Sequence, residues 1–142
     1  MIKLIRLICI CLALTSCNSD KKKTASYAVN QESFNLEKSI KRGEQIYTDM
    51  CITCHLPNGK GVPKAFPPLA DSDYLRNKQT ESIKAVKNGM SGKIVVNGIT
   101  YNSVMSPLGL SDEEVADVMN YINNSWGNKI KNIVTPEKVS KL

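Results

Sequence analysis

The sequence predicts an all-α domain of about four helices with one small β-hairpin inserted, and three observations predict it. Leu36, Ile40, Gly43, Tyr47 and Met50 recur on one helical face. Ser111-Asp112-Glu113-Glu114 reads as a capping box, with Ser111 as N-cap and Glu114 at N3, and the stripe Val115, Val118, Met119, Ile122 follows at i, i+3, i+4, i+7. Asn97-Gly98 between Ile94-Val95-Val96 and Ile99-Thr100-Tyr101 is a tight hairpin signal. The 142 residues allow one ordinary domain, and 42% hydrophobic content suffices for a packed core.

The chain opens with Lys3 and Arg6 before the apolar run Leu7 to Leu14. About 20 apolar residues are needed to cross a bilayer, so residues 1–16 read as a secretory signal rather than a span. A buried N-terminal helix is the competing reading, disfavoured by the two charges. Leu14-Thr15-Ser16-Cys17 resembles the lipobox of bacterial lipoproteins. That resemblance implies that Cys17 is acylated and becomes the mature N-terminus. The protein would then be exported and lipid-anchored to a bacterial membrane, facing the periplasm or the cell surface. The alternative is a spare cysteine. Residues 17–34 are polar and without a period, as expected of a tether spanning roughly 20–25 Å as a coil. The run Lys21–Lys23 is read as solvated linker charge.

Charge follows the same division. The formal net charge is +6, but Lys3 and Arg6 carry two units and Asp20–Lys23 another two. Residues 24–142 hold 14 basic and 12 acidic side chains. A nucleic-acid binder concentrates its charge on the folded part, so that class is excluded.

Beyond Cys9, Cys11 and Cys17, the remaining cysteines stand in Cys51-Ile52-Thr53-Cys54-His55. C-x-x-C-H is the attachment signature of c-type haem. Two intervening residues let both sulfurs add to the vinyl groups of one porphyrin, and the adjacent imidazole reaches the iron from the same side. A structural zinc site wants four ligands, and if the leader is removed and Cys17 acylated only Cys51, Cys54 and His55 remain, with no second pair. A disulfide-exchange centre would sit beside a βαβ pattern, which is absent from the sequence.

His55 is the only histidine, so bis-histidine ligation within one chain is impossible. The sixth ligand is then Met, Lys, an N-terminus, water or nothing, and Met/His ligation, the arrangement of electron-carrying cytochromes c, raises the reduction potential. Met50 abuts Cys51 on the proximal side, and Met119 lies on the core stripe of a helix. Met90 follows the helix stop Asn88-Gly89 and stays an alternative. Met105 lies in the irregular stretch from Tyr101 to Pro107 just before a helix, where a loop can bring its thioether over a ring face. It is the preferred ligand.

Over about residues 35–130 the chain resembles mono-haem class I cytochromes c. The resemblance is carried by the Gly43/Tyr47 helix before Cys51-x-x-Cys54-His55, the Gly-rich turn Asn58-Gly59-Lys60-Gly61, Phe66-Pro67-Pro68-Leu69, the Met105 loop and the last helix. It implies the cytochrome c fold around one covalent haem c, with Gly43 at a close helix crossing. It implies that the Pro67 carbonyl accepts the His55 Nδ1 proton and that Leu69 lines the haem. Tyr121 and Trp126 would pack on the first helix and the haem rim. In one departure, Ser106 stands between Met105 and Pro107, where the family often has Pro directly after its Met. The hairpin insertion and Asn-Ser-Trp-Gly-Asn resemble a bacterial subgroup that accepts electrons beside dehydrogenases or terminal oxidoreductases.

A middle helix is expected over Thr80–Asn88, and the last main helix to about Ser125. Residues 131–142 form a tail, with a short helix at Thr135-Pro136-Glu137. The expected function is that of a membrane-tethered electron carrier. It has redox-protein partners, no catalytic residues and no small-molecule substrate. Cys51, Cys54, His55, Pro67, Leu69 and Met105 bind the cofactor, His55 and Met105 hold the iron, and Cys17 carries lipid. A haem sensor or haem enzyme with an open sixth position is the alternative.

Overall fold

The computed structural model describes residues 34–142, so the signal over residues 1–16, Cys17 and the tether up to residue 33 lie outside the described residues. Within them the order is α1 (Leu36–Met50), α2 (Ile52–His55), α3 (Asp73–Asn77), α4 (Gln79–Asn88), β1 (Ile94–Val96), β2 (Ile99–Tyr101), α5 (Asp112–Asn124) and α6 (Pro136–Ser140). Among the described residues the expected helices are α1, α4, α5 and the short α6, and α2 and α3, of four and five residues, are additional.

Asn35 caps α1 by accepting from the Lys38 N–H at 3.0 Å. The buried stripe of α1 is Ser39, Gly43 and Tyr47, rotated from the expected one. Leu36 and Ile40 are half-buried and Met50 is exposed, a correction to the expected face. The reason lies in α5, which crosses α1 at Gly43. A Cβ on Gly43 would run into the Asp117 backbone carbonyl and come within 2.9 Å of Tyr121 Cβ. Beside that crossing the buried Asp117 carboxylate accepts from Ser39 Oγ at 2.6 Å and from Arg42 Nε and Nη2 at 2.5 and 2.8 Å. A polar residue therefore occupies the centre of the interface, which apolar periodicity cannot reveal.

The capping box forms as expected. Ser111 Oγ accepts from Glu114 N–H, and the Glu114 carboxylate accepts from Ser111 N–H at 2.8 Å. Val115, Val118, Met119 and Ile122 of α5 are all buried, 3% exposed at most. The hairpin pairs Ile94 with Tyr101 and Val96 with Ile99. Asn97 (φ 51°) and Gly98 (φ 76°) both take positive φ, the requirement of a type I′ turn. That turn is held on the start of α3: Asn97 N–H donates to Asp73 Oδ1 at 2.7 Å, and Asp73 N–H donates back to Asn97 Oδ1 at 2.9 Å.

The C-terminal segment packs on α5. Val134 and Val139 are fully buried. Asn120 donates to the Val134 carbonyl at 2.8 Å and accepts its N–H at 2.9 Å, so one side chain replaces a strand partner for that residue. α6 begins with Thr135 as N-cap and Pro136 in its first turn.

Candidate functional site

Tyr47 Oη donates to the Leu56 carbonyl at 2.7 Å, which anchors the end of α2 to α1. The chain then turns at Leu56 (φ 63°) and folds back, with Gly61 N–H donating to the His55 carbonyl at 3.0 Å. Leu69 and Ala70 N–H groups donate to the Gly59 carbonyl at 2.7 and 2.9 Å, and Val62 pairs with Phe66. This double return presents the Pro67 carbonyl to His55 Nδ1 at 3.0 Å. A carbonyl only accepts, so Nδ1 carries the proton and the neutral ring leaves Nε2 with its lone pair. Burial holds the His55 pKa below the ordinary 6.5, with the Pro67 bond pulling partly back. An uncharged imidazole is the form that ligates metal.

Cys51 and Cys54 flank the same turn and form no disulfide. Burial first, and the neighbouring Cys54 second, push the Cys51 thiol up to about 11. Reactive redox thiols have depressed values, so this shift runs against a disulfide-exchange centre. Among the described residues, no three His, Cys, Asp or Glu side chains cluster as a protein-only metal cage.

The methionine side of the site is a backbone pair. Met90 N–H donates to the Met105 carbonyl at 2.8 Å, and Met105 N–H donates to the Met90 carbonyl at 2.9 Å. Gly89 ends α4 at φ 73°, and a Cβ there would come within 2.8 Å of Pro107 N. The residue that stops the helix is therefore also the one that lets the Met105 loop approach. Ser103 Oγ donates to the Ala65 carbonyl, tying this loop to the segment that carries Pro67.

Between these two sides lies a cleft of about 1060 Å³, its open mouth included. All six residues expected to bind the cofactor, Cys51, Cys54, His55, Pro67, Leu69 and Met105, line this cleft, and so does Met90. α4 and α5 supply apolar wall through Val86, Val118, Met119 and Ile122, and the hairpin supplies Ile94, Val96 and Tyr101. α3, which periodicity missed, adds Tyr74 and Leu75. Its signal was present in Asp71-Ser72-Asp73: Ser72 Oγ caps the helix by accepting from Leu75 N–H at 3.1 Å.

Tyr121 and Trp126 are not among the residues lining the cleft. They form an aromatic cluster with Tyr47, ring centroids 4.9–5.6 Å apart, on the α1–α5 crossing. The expected packing on the first helix is present; a place on the cleft wall is not. Trp126 reaches across to donate to the Pro57 carbonyl at 3.0 Å and lies over Gly59.

Two thiols one turn apart, a neutral imidazole held by its Nδ1, thioethers lining the same cleft and apolar walls are the donor set and surroundings that fit one covalent haem c. The family model described as Cytochrome c matches residues 40–126. The chain is 41% identical over 109 residues to cytochrome c-552 of Thermus thermophilus, covering 70% of this chain and 82% of that one. It is 34% identical over 104 residues to the cytochrome c subunit of a quinone alcohol dehydrogenase of Gluconacetobacter polyoxogenes, 70% of this chain but 22% of that subunit. It is 30% identical over 132 residues to the cytochrome c subunit of gluconate 2-dehydrogenase of Pantoea cypripedii, 84% of this chain and 29% of that subunit.

Proposed function

Because the chain belongs to the cytochrome c family, as a mono-haem class I electron carrier with one covalent haem c, we propose that Cys51 and Cys54 anchor that haem and that His55 and Met105 hold its iron. The observation that carries the assignment is the His55 Nδ1–Pro67 carbonyl bond at 3.0 Å, in a cleft that Cys51, Cys54 and Met105 also line. Bound there, the haem supplies one-electron chemistry between Fe(III) and Fe(II).

The residues of the chain then have separate tasks. Cys51 and Cys54 keep the cofactor from dissociating. The Pro67 carbonyl fixes the His55 tautomer and orientation, and strengthens the imidazole as a donor. Leu69 and the α5 wall exclude water. Met105 would supply the second protein ligand to the iron, which would favour electron transfer over gas binding or peroxide chemistry. Residues 35–130 form the cytochrome domain, with residues 131–142 as its C-terminal segment.

The finer reading concerns place and partner. Residues 1–16 serve as the export signal, Cys17 as the lipid anchor and residues 17–34 as the tether, which puts the haem domain at a bacterial membrane outside the cytoplasm. The motif Leu14-Thr15-Ser16-Cys17 directly after the apolar run supports this. Among the described residues no helix is long and apolar enough to cross a membrane. Two of the relatives are cytochrome subunits of dehydrogenases, which supports a dehydrogenase or terminal oxidoreductase as redox partner.

A pyridine haemochrome assay on the full chain is expected to give one covalent haem. The oxidised protein should show the weak iron–sulfur band at the red end of the spectrum, and the ferrous protein should bind carbon monoxide poorly. Tight carbon monoxide binding would favour an open sixth position instead. Cys17→Ser is expected to release the protein from the membrane fraction; unchanged partitioning would refute the anchor.

A further inference from the structure

Met90 has no task in the function above, yet it is built into the site. Residues that exchange both backbone hydrogen bonds stand directly opposite one another, with side chains on the same face and Cα atoms about 5.5 Å apart. Met90 and Met105 are such a pair, at 2.8 and 2.9 Å, and both line the cleft. Gly89, the position before Met90, leaves room for the Met105 carbonyl and Pro107 to approach, because a Cβ there would come within 2.5 Å of that carbonyl oxygen.

We propose that Met90 is a reserve axial ligand, able to take the sixth position when the Met105 thioether is lost or displaced. The proposal rests on the reading of Met105 as the resident ligand. Three features of the pair support it. A thioether on three rotatable bonds adapts its reach without backbone movement. The two backbone bonds keep Met90 in register with Met105 whatever residue 105 carries, because they use no side-chain atom. Exchange of one thioether for the other breaks one iron–sulfur bond and forms another, with no proton moved and no change of charge. Burial on its own would be served equally by any apolar side chain at position 90, whereas ligand replacement requires sulfur.

The test uses the full-length haem-loaded chain and three variants, Met90→Leu, Met105→Leu and the double variant, read by the red iron–sulfur band and by carbon monoxide binding. Leu keeps the volume of Met, so packing changes little. The proposal expects the band unaltered in Met90→Leu, retained though shifted in Met105→Leu, and lost only in the double variant, which then binds carbon monoxide. Loss of the band in Met105→Leu, with haem content and circular dichroism retained, overturns the reserve role and leaves Met105 as ligand. Loss in Met90→Leu with Met105→Leu unchanged overturns the Met105 assignment and the proposal together, as does absence of the band from the unsubstituted protein. Met105→Ala is the second variant should the Leu form not fold. If neither form yields a folded haem protein, Met90 does not replace Met105 and the proposal falls.

Discussion

At the residue scale, the site depends on groups whose properties come from a neighbour's backbone. Burial disfavours the charged form of His55, and its tautomer is set by a carbonyl that any residue could supply; Pro67 matters through where its carbonyl stands. Trp126 works in the same way. Its Nε1–H donates to the Pro57 carbonyl at 3.0 Å while its ring covers Gly59, so it clasps the turn that follows His55. Trp126→Phe keeps an aromatic ring and deletes the donor. The expected cost is about 1 kcal/mol, the net worth of one such bond. Denaturant titration of the haem-loaded variant checks this, and a loss above about 3 kcal/mol would mean that ring packing, not the bond, is the larger contribution.

At the element scale, two helices decide the architecture. α1 and α5 meet where Gly43 lets the Asp117 carbonyl lie against the α1 backbone. Gly43→Ala places a methyl group where backbone stands, and backbone does not yield as a flexible side chain does. A loss of about 3 kcal/mol or more is expected in urea unfolding, the upper end for overpacking. A variant of unchanged stability would show that the helices separate freely. The start of α5 gives a pH-dependent element. The Ser111 backbone N–H first, and its hydroxyl second, hold the Glu114 carboxyl below its ordinary 4.5. A carboxyl lowered on folding stabilises above its unfolded value and loses that effect as pH falls through the folded one. The difference in Tm between the parent and Glu114→Ala should therefore be full at about pH 6 and shrink towards pH 3. A difference that is constant across this window would remove the charged cap from the account. Helix ends of this kind were legible beforehand, because Ser111, Gly89 and Thr135 act on backbone within four residues of themselves. α3 was missed because five residues carry too little periodicity, although its Ser72 cap was visible.

At the scale of the whole molecule, the haem cleft lies against the buried cluster of Tyr47, Ile83, Val115, Val118, Met119 and Val139 and shares Val118 and Met119 with it. α4, α5, the hairpin and the Pro67 and Met105 loops all face it, so without the cofactor their apolar walls have no common filling. Cys51→Ala/Cys54→Ala, unable to hold haem covalently, is expected to keep much of its far-ultraviolet helix signal and lose near-ultraviolet structure. A native-like near-ultraviolet spectrum would show that the polypeptide packs on its own. By itself the sequence carried the C-x-x-C-H motif, the only histidine, a short list of methionines, the hairpin turn and the capped helices. All of these are set by residue type or by partners a few positions away. Only the tertiary structure decided that Ser39, Asp117 and Arg42 form the polar centre of the helix crossing, and that Asn120 docks Val134. It also moved Tyr121 and Trp126 off the cleft and set Met90 against Met105. Those outcomes depend on pairs from 14 to 79 positions apart in the sequence, whose meeting is governed by packing geometry rather than by any local preference of the chain.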